Sequence, residues 1–456
     1  MGAKLLVRMY NVGCGDCIYV RVPNDGDGFH ILIDCGKKGD TVLLKEAVDH
    51  LSANLLPAGD GPGKKRLDLI VATHRHEDHI KGFDPAWFKN IEVKNIWLSA
   101  VMDPEHPQAG SVRELHDAAT RAIGEISTQG LASSPELELL ASLYGVSNNV
   151  ADELLMKTLP EANGIKPRFV HAGMSSIDLG LKAGDPVLHV LAPEKDIDHY
   201  YLGEDADSSL KGFASVGKSL KEQPGSVADA LPRNVSASDF RLLRSRLLSN
   251  GLAFAEKDTK IQNNMSVVLL IEWKTRRLLF VGDAECDGEF KEGKQNGSWN
   301  VMWEKQHDKL LSKPVDFLKI GHHGSINATP PSEGKPVAAG TRSVTQILDV
   351  LLPLPKEGEE PTAHAIVSTE REFYAPIPSS ALLVDLARRI KTRRNYGEAF
   401  REKGIDPVGL WATRKAIEKD FYGIYEQKNL DKLQPYRTDL EFKLNGSKYI
   451  DVEIEP

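Results

Sequence analysis

Residues 67–79 read Leu-Asp-Leu-Ile-Val-Ala-Thr-His-Arg-His-Glu-Asp-His, a short apolar run that stops abruptly in a cluster of imidazoles and carboxylates. An apolar run of that length is a buried strand, so the fold must deliver the cluster at a strand end. Two imidazoles at i and i+2 on a turn, His74 and His76, can face one cation. Asp78 and His79, four and five positions after His74, can face a second one nearby. Nitrogen and oxygen donors of this kind suit Zn²⁺, with Mn²⁺ or Fe²⁺ as alternatives. A polar, His-rich surface loop is the competing explanation, and H-x-H-x-D-H spacing directly after a buried strand argues against it.

Two further strand ends carry the same kind of chemistry. Ser266–Trp273 and Arg277–Val281 are strand signals separated by a short polar turn, and the second runs into Gly282-Asp283. A carboxylate at a strand end, beside a glycine that permits close backbone approach, is well placed to bridge two cations. Alone, Gly-Asp is a common turn; its weight comes from the first cluster. Phe317–Ile320 ends in Gly321-His322-His323-Gly324-Ser325. One imidazole would complete the second metal, and the other would hold a phosphate or protonate a leaving group. His323 is assigned to the metal and His322 to the proton. The expected metal ligands are therefore His74, His76, Asp78, His79, Asp283 and His323, with Asp78, His322 and Ser325 as the catalytic set.

The rest of the 456-residue chain frames these runs. Leu5–Tyr10, Cys17–Val22, Phe29–Ile33 and Val93–Leu98 read as strands, and Thr41–Leu51 as a helix. Residues 105–165 are rich in Ser, Ala, Glu and Leu at helical spacing and read as a helical insertion; 195–260 reads as a second, partly helical one. Strand-like runs resume at Arg168–His171, Val187–Leu191 and Ala365–Ser368. Ser379 or Ser380 would cap a helix with apolar face Leu382, Leu383, Leu386 and Ile390, and Leu440–Leu444 with Tyr449–Ile454 would form a hairpin about Asn445-Gly446. With the insertions, 1–456 is expected to be a single domain.

Composition excludes several classes. Hydrophobic residues at 41% and charged residues at 27% are ordinary for a globular protein. No run approaches the roughly 18 apolar residues of a spanning helix, and the N-terminus lacks a signal-peptide core, so a cytoplasmic location is expected. Four cysteines are too few for a disulfide scaffold and suit a reducing compartment. Cys14-Gly-Asp-Cys17 has CxxC spacing without a second CxxC, and reads as small buried thiols rather than a zinc or redox site. A formal charge of −8 argues mildly against a protein that coats nucleic acid non-specifically.

Taken in order, Asn11-Val-Gly-Cys-Gly-Asp-Cys17, Ile31-Leu-Ile-Asp-Cys-Gly36, the H-x-H-x-D-H run, Phe280-Val-Gly-Asp283 and Lys319-Ile-Gly-His-His-Gly-Ser325 resemble the metallo-β-lactamase superfamily. Within it the chain is similar to the ComEC branch, the nuclease-like domain of DNA-uptake channels; Ala365–Ser368 and Tyr374-Ala-Pro376 resemble later elements of that branch. Lacking membrane segments, the chain is not expected to be such a channel itself. The resemblance implies an α/β fold, an αβ/βα four-layer sandwich with two mainly helical insertions, and a site for two divalent ions, Zn or Mn, at one edge of its two sheets. Asp34 would then be a partner of a ligand histidine rather than a ligand.

Two departures bear on the site. The expected Gly-Gln-Gly-Asp reads Gly13-Cys14-Gly15-Asp16, a change treated as harmless. The superfamily's third histidine for the first metal is replaced by Gln262-Asn263-Asn264, with His171 and His189 the nearest substitutes and His189 read as a core histidine.

The activity implied is hydrolysis of phosphodiester bonds by a metal-activated hydroxide. DNA is the first expected substrate, and a small phosphodiester, as for phosphorylcholine esterases, the alternative. Support for DNA comes from the basic run Arg388, Arg389, Lys391, Arg393 and Arg394, against a reading of it as a solvated helix face. Backbone amides around Gly324 and the Ser325 hydroxyl would steady the phosphate. The helical insertions would offer surfaces to a protein partner.

Overall fold

In the computed structural model, residues 3–128, 151–176, 186–203, 255–325, 327–330, 343–368, 382, 385–386, 389–391 and 448–456 are described. Much of both expected insertions, Tyr374-Ala-Pro376, Leu383 and Leu440–Leu444 lie outside them.

The chain begins with β1 (Leu5–Tyr10), β2 (Cys17–Val22), β3 (Phe29–Cys35), α1 (Val42–Asn54), β4 (Lys65–Leu67), β5 (Leu69–Ala72) and the single-turn α2 (Glu77–Ile80). It continues through β6 (Ile91–Val93), β7 (Ile96–Ser99), α3 (Ala109–Thr128), α4 (Leu159–Asn163), β8 (Arg168–Val170) and β9 (Val187–Ala192). Residues 255–264 are helical. Then come β10 (Val268–Trp273), β11 (Arg276–Phe280), α5 (Ser298–Gln306), β12 (Phe317–Lys319), α6 (Ile347–Leu351), β13 (His364–Ile366) and β14 (Tyr449–Ile454).

These strands form a seven-stranded sheet, β14-β1-β2-β3-β5-β7-β8, and a five-stranded sheet, β13-β12-β11-β10-β9. The strand expected over Val93–Leu98 is two strands. Ile91–Val93 pairs with β4 in a small separate sheet, and Ile96–Ser99 joins the large one. The break has a side-chain cause: Asn95 donates to Asp68 O at 3.1 Å, and the Asp68 carboxylate accepts from His30 N at 2.9 Å. Both polar residues are consumed where the two parallel strands step from one sheet to the other. The C-terminal strand expected in a hairpin pairs with β1.

β1 is buried on both faces because both are covered. Leu5, Val7 and Met9, with Ile18, Val20 and Ile31, share one apolar cluster with Leu269, Ile271, Phe280 and Phe317 of the five-stranded sheet. The alternate residues Leu6, Tyr19 and Leu32 pack with Leu44, Val48 and Leu51 of α1 and Val112 and Leu115 of α3. On the other sheet, Leu270, Leu279 and Leu318 pack with Trp299 and Met302 of α5 and Ile347 and Leu351 of α6. Leu382, Leu386 and Ile390 join that last cluster.

What positions the site is the parallel pairing. β3, β5, β7 and β8 run parallel, as do β11, β12 and β13. Loops at the carboxyl ends of parallel strands are where such sheets gather ligands. The ends of β3, β5, β11 and β12 release Asp34, His74, Asp283 and His322-His323 respectively.

Candidate metal centre

The loops close on one another through glycine. A Cβ on Gly36 would overlap the backbone of Asp78 and His79, and one on Gly15 would overlap the backbone of Gly36. Only Gly lets three backbone segments approach this closely. Hydrogen bonds fix the stack: Asp16 N to Asp78 O at 3.0 Å, Gly36 N to Asp16 O at 2.8 Å, and Lys38 N to Cys14 O at 2.9 Å.

All six expected ligands meet there. His74, His76 and Asp283 bring donor atoms within 4.8 Å of one another, and so do His79, Asp283 and His323. Asp283 is common to both groups. Its Oδ1 lies 3.3 Å from His79 Nε2 and its Oδ2 3.8 Å from His74 Nε2. Asp78 Oδ2 lies 3.0 Å from His323 Nε2 and 3.2 Å from Lys38 Nζ.

Partners behind the cluster orient it. Asp34 Oδ2 meets His79 Nδ1 at 2.7 Å, while its two oxygens accept from Thr73 N at 2.7 Å and Thr73 Oγ1 at 2.8 Å. His323 Nδ1 meets Ser368 O at 2.9 Å. Asp16, fully buried, accepts from Lys319 Nζ and Ser368 Oγ. Among the described residues, four non-glycine residues have positive φ. Three of them, Asp34 at 54°, His322 at 41° and His323 at 53°, are in this site. Such conformations cost about 1–3 kcal/mol each. The surroundings hold them because they aim these side chains.

Electrostatics divide the imidazoles. Burial drives His74 well below its ordinary range and His76 down to about 4, leaving both neutral with lone pairs to offer a cation. Burial would do the same to His79, but the Asp283 and Asp34 carboxylates outweigh it and raise His79 well above that range. For His323, burial is likewise outweighed, by Cys14 and Asp78, and its pKa rises to about 10. Burial pushes up Asp78 and Asp283 too. Lys38 with His323 overcomes this for Asp78, as does His79 with His322 for Asp283, and both end well below the carboxylate range. Two buried carboxylates are thus ionised and compensated by protonated imidazoles and an ammonium.

This donor set fits divalent cations. Asp78 Oδ1 and His79 Nε2 are buried without a hydrogen-bond partner, a costly state unless something else satisfies them. Cations there would be held by His74, His76 and Asp283 on one side and by Asp78, His79, Asp283 and His323 on the other.

Several expectations change. His189 is half-buried and pairs with Glu272 at 3.2 Å, and His171 Nδ1 meets Ala172 O at 2.9 Å; neither belongs to a ligand cluster among the described residues. Gln262 bonds Asp258 at 3.2 Å, Asn263 bonds Glu285 at 2.8 Å, and Asn264 Oδ1 accepts from Glu285 N and Ser298 N. The amides expected in place of a third histidine thus brace neighbouring segments. Gly324 N and Ser325 N donate to Gly321 O and His322 O, and Ser325 Oγ donates to Asn327 at 2.8 Å. The turn itself consumes the donors expected to steady phosphate.

Arg389 is buried and bonded to Asp385 and Asp349, each at 2.7 Å, and to Leu352 O at 2.8 Å. It braces a helix rather than meeting a polyanion. Lys391 is exposed, and Arg388, Arg393 and Arg394 lie outside the described residues. Cys17 is a buried strand thiol 4.0 Å from Cys35 Sγ. Cys14 is not on a strand: it sits in the loop against Asp78 and His323. Sequence reasoning missed it, together with Lys38 and Glu285, whose carboxyl burial raises to about 7.

Residues 11–117 match the family model of the metallo-β-lactamase superfamily. Its members are generally metal-dependent enzymes, and the matched segment contains His74 to His79. No curated protein matches the chain. Among solved structures, a point mutant of CmlA β-hydroxylase is 14% identical at a TM-score of 0.31, over 100% of this chain and 54% of that one. A β-lactamase domain protein from Burkholderia ambifaria is 16% identical at a TM-score of 0.22, over 41% of this chain and 43% of that one. The chain therefore spans about half the length of each. No helix among the described residues is long and apolar enough to cross a membrane.

Asp34→Asn tests the orienting contact without disturbing the loop, since Asn tolerates left-handed backbone. Losing the charge behind His79 should weaken metal binding roughly 10–100-fold while thermal unfolding stays cooperative. Chelator competition reads the affinity.

Proposed function

We propose that this protein is a dinuclear metallohydrolase of phosphodiester bonds, with DNA as its first expected substrate, built on an αβ/βα four-layer sandwich. The observation that carries the reading is the shared carboxylate: Asp283 stands between His74 with His76 on one side and His79 with His323 on the other. Two divalent ions, zinc or manganese, would bring the pKa of a water towards neutrality and take up phosphate oxygens.

The chain's own residues do the rest. Asp34 holds the His79 ring through Nδ1, so that Nε2 faces Asp283. Ser368 O holds His323 in the same way, with Nε2 towards Asp78. Asp78 is the charged group best placed to orient the attacking water. His322, with a quarter of its side chain exposed, stands beside Asp283; burial lowers its pKa to about 4, so near neutral pH it would meet the leaving oxygen as a neutral imidazole rather than as an imidazolium acid. Thr73 and Ser266 hydroxyls flank His74 Nδ1 at 3.1 and 3.3 Å, keeping its Nε2 turned inward.

A second reading, hydrolysis of a small phosphodiester, is favoured by the commitment of Arg389 to internal carboxylates and by the −8 charge. Cleavage of circular single-stranded and linear double-stranded DNA, with added Mn²⁺ or Zn²⁺, decides between them beside a chromogenic phosphodiester. Asp78→Ala/His79→Ala should be inactive on both substrates. DNA cutting that falls steeply with salt identifies a backbone-tracking nuclease. Turnover of the small ester alone, insensitive to salt, identifies the second reading. Activity retained in the double variant refutes the dinuclear assignment.

A further inference from the structure

Cys14 is a strong metal donor at this centre that neither reading uses. Its Sγ, an Asp78 carboxylate oxygen and a His323 ring nitrogen lie within 4.8 Å of one another, and all three residues are buried. Donors bound tetrahedrally to one zinc at ordinary bond lengths are about 3.3–3.8 Å apart, so a small contraction of this group encloses an ion.

Two further observations point to a ligand rather than a packed thiol. Asp78 Oδ1 is buried with no hydrogen-bond partner, although Oδ2 of the same carboxylate is fully engaged. The loop carrying Cys14 is also tied to the Asp78 backbone, through Asp16 N to Asp78 O at 3.0 Å, and to Lys38 N through Cys14 O at 2.9 Å. The thiol is held where it is by the same contacts that place the carboxylate. By contrast, Cys17 and Cys35 face each other and belong to no ligand group among the described residues.

We propose that the Cys14 thiolate binds the second cation together with Asp78 and His323, giving that position a preference for thiophilic ions such as zinc, ferrous iron or cobalt over manganese. The inference rests on the dinuclear reading. The step is a ligand exchange: a metal–sulfur bond forms, the S–H bond breaks, and its proton leaves to solvent, with no change of oxidation state. Soft thiolate donors select such ions, whereas carboxylate and water suit manganese.

Cobalt titration of the chelator-stripped, full-length protein tests this by absorption as well as by activity. The expected result is two cobalt ions per chain with a near-ultraviolet thiolate-to-cobalt charge-transfer band. The band should be absent in Cys14→Ser and retained in Cys17→Ser. In Cys14→Ser, zinc should bind the affected position at least about tenfold more weakly, the lower range for losing even an outer partner of a metal, with manganese affinity little changed.

Two cobalt ions without the band, or a band that survives Cys14→Ser, overturns the proposal and leaves the dinuclear reading standing. No cobalt uptake by the wild-type protein overturns both. If Cys14→Ser does not fold, zinc-edge X-ray absorption on the wild type decides: a sulfur scatterer at about 2.3 Å supports the assignment, and nitrogen and oxygen alone refute it.

Discussion

Asp283→Ala is expected to abolish phosphodiester turnover and to reduce the metal content from two ions per chain to one or none. No other residue belongs to both principal ligand groups, and its two oxygens face opposite ways, towards His79 and His74. Its backbone N–H is fixed by Ser266 Oγ at 3.1 Å, and Oδ1 accepts from His322 N at 3.1 Å. The carboxylate is therefore aimed by the strand end and does not depend on a flexible side chain finding its place. A metal ion contributes several kcal/mol of charge stabilisation at a reacting phosphate, so losing both should cost at least about a thousandfold in rate. Asp283→Asn keeps the shape and the His322 contact but not the charge, and it should be nearly as inactive. Metal analysis and a phosphodiester assay check both variants. Wild-type metal content with activity within about tenfold of normal would remove Asp283 from the centre of the mechanism.

The ligands at a strand end or within the turn that follows it were legible in the sequence, and Cys14 and Lys38, which reach the centre on other loops, were not. β5, β11 and β12 each announce themselves as an apolar run stopped by ligand-type residues, so His74, Asp283 and His323 stand where local pattern changes to chemistry. Cys14 has no such local signal. It reaches Asp78 only because Gly15 and Gly36 have no side chains and let two loops stack on α2, and pairing of that kind is invisible to periodicity. Lys38, on the loop after β3, is hidden for the same reason. Glycine at both closest approaches, Gly15 and Gly36, was the available clue. The amide run 262–264 failed differently. Its position before β10 was right for a ligand, but polar side chains at a helix end also satisfy backbone groups, and here Asn264 Oδ1 serves two of them, on Glu285 and Ser298. Arg389 repeats that lesson: a basic run on paper includes a guanidinium that the fold has already committed to Asp385 and Asp349.

Metal loading should strengthen with pH, and should stabilise the protein more at pH 9 than at pH 6. The metal-free centre keeps Asp78 and Asp283 ionised and balances them with protonated His79 and His323 and with Lys38. A cation that takes an imidazole nitrogen must displace its proton. The pKa of His323 is raised to about 10, above the unfolded value of about 6.5. Its contribution to metal-free stability is therefore complete below about pH 6.5 and is lost as pH rises through its folded value. The two carboxylates act at the other end. Their folded values are depressed, so their contribution is present above about pH 3.9 and is lost only as pH falls through those lower values.

Between pH 6 and pH 9 the ligand carboxylates Asp78 and Asp283 keep their charge, so within the ligand set the change comes from the imidazoles, and it favours the cation. Each unit of pH should raise apparent zinc affinity about tenfold per proton displaced, before allowing for competition from hydroxide. Because a ligand stabilises by its concentration relative to its dissociation constant, the gap in unfolding temperature between loaded and stripped protein should widen over the same interval. Thermal unfolding with zinc and with chelator, at pH 6 and pH 9, measures that gap directly. A gap that is constant or narrows would mean that the cations do not displace these protons. His323 and His79 would then have to be moved out of the ligand set, while His74 and His76, already neutral, would keep their place.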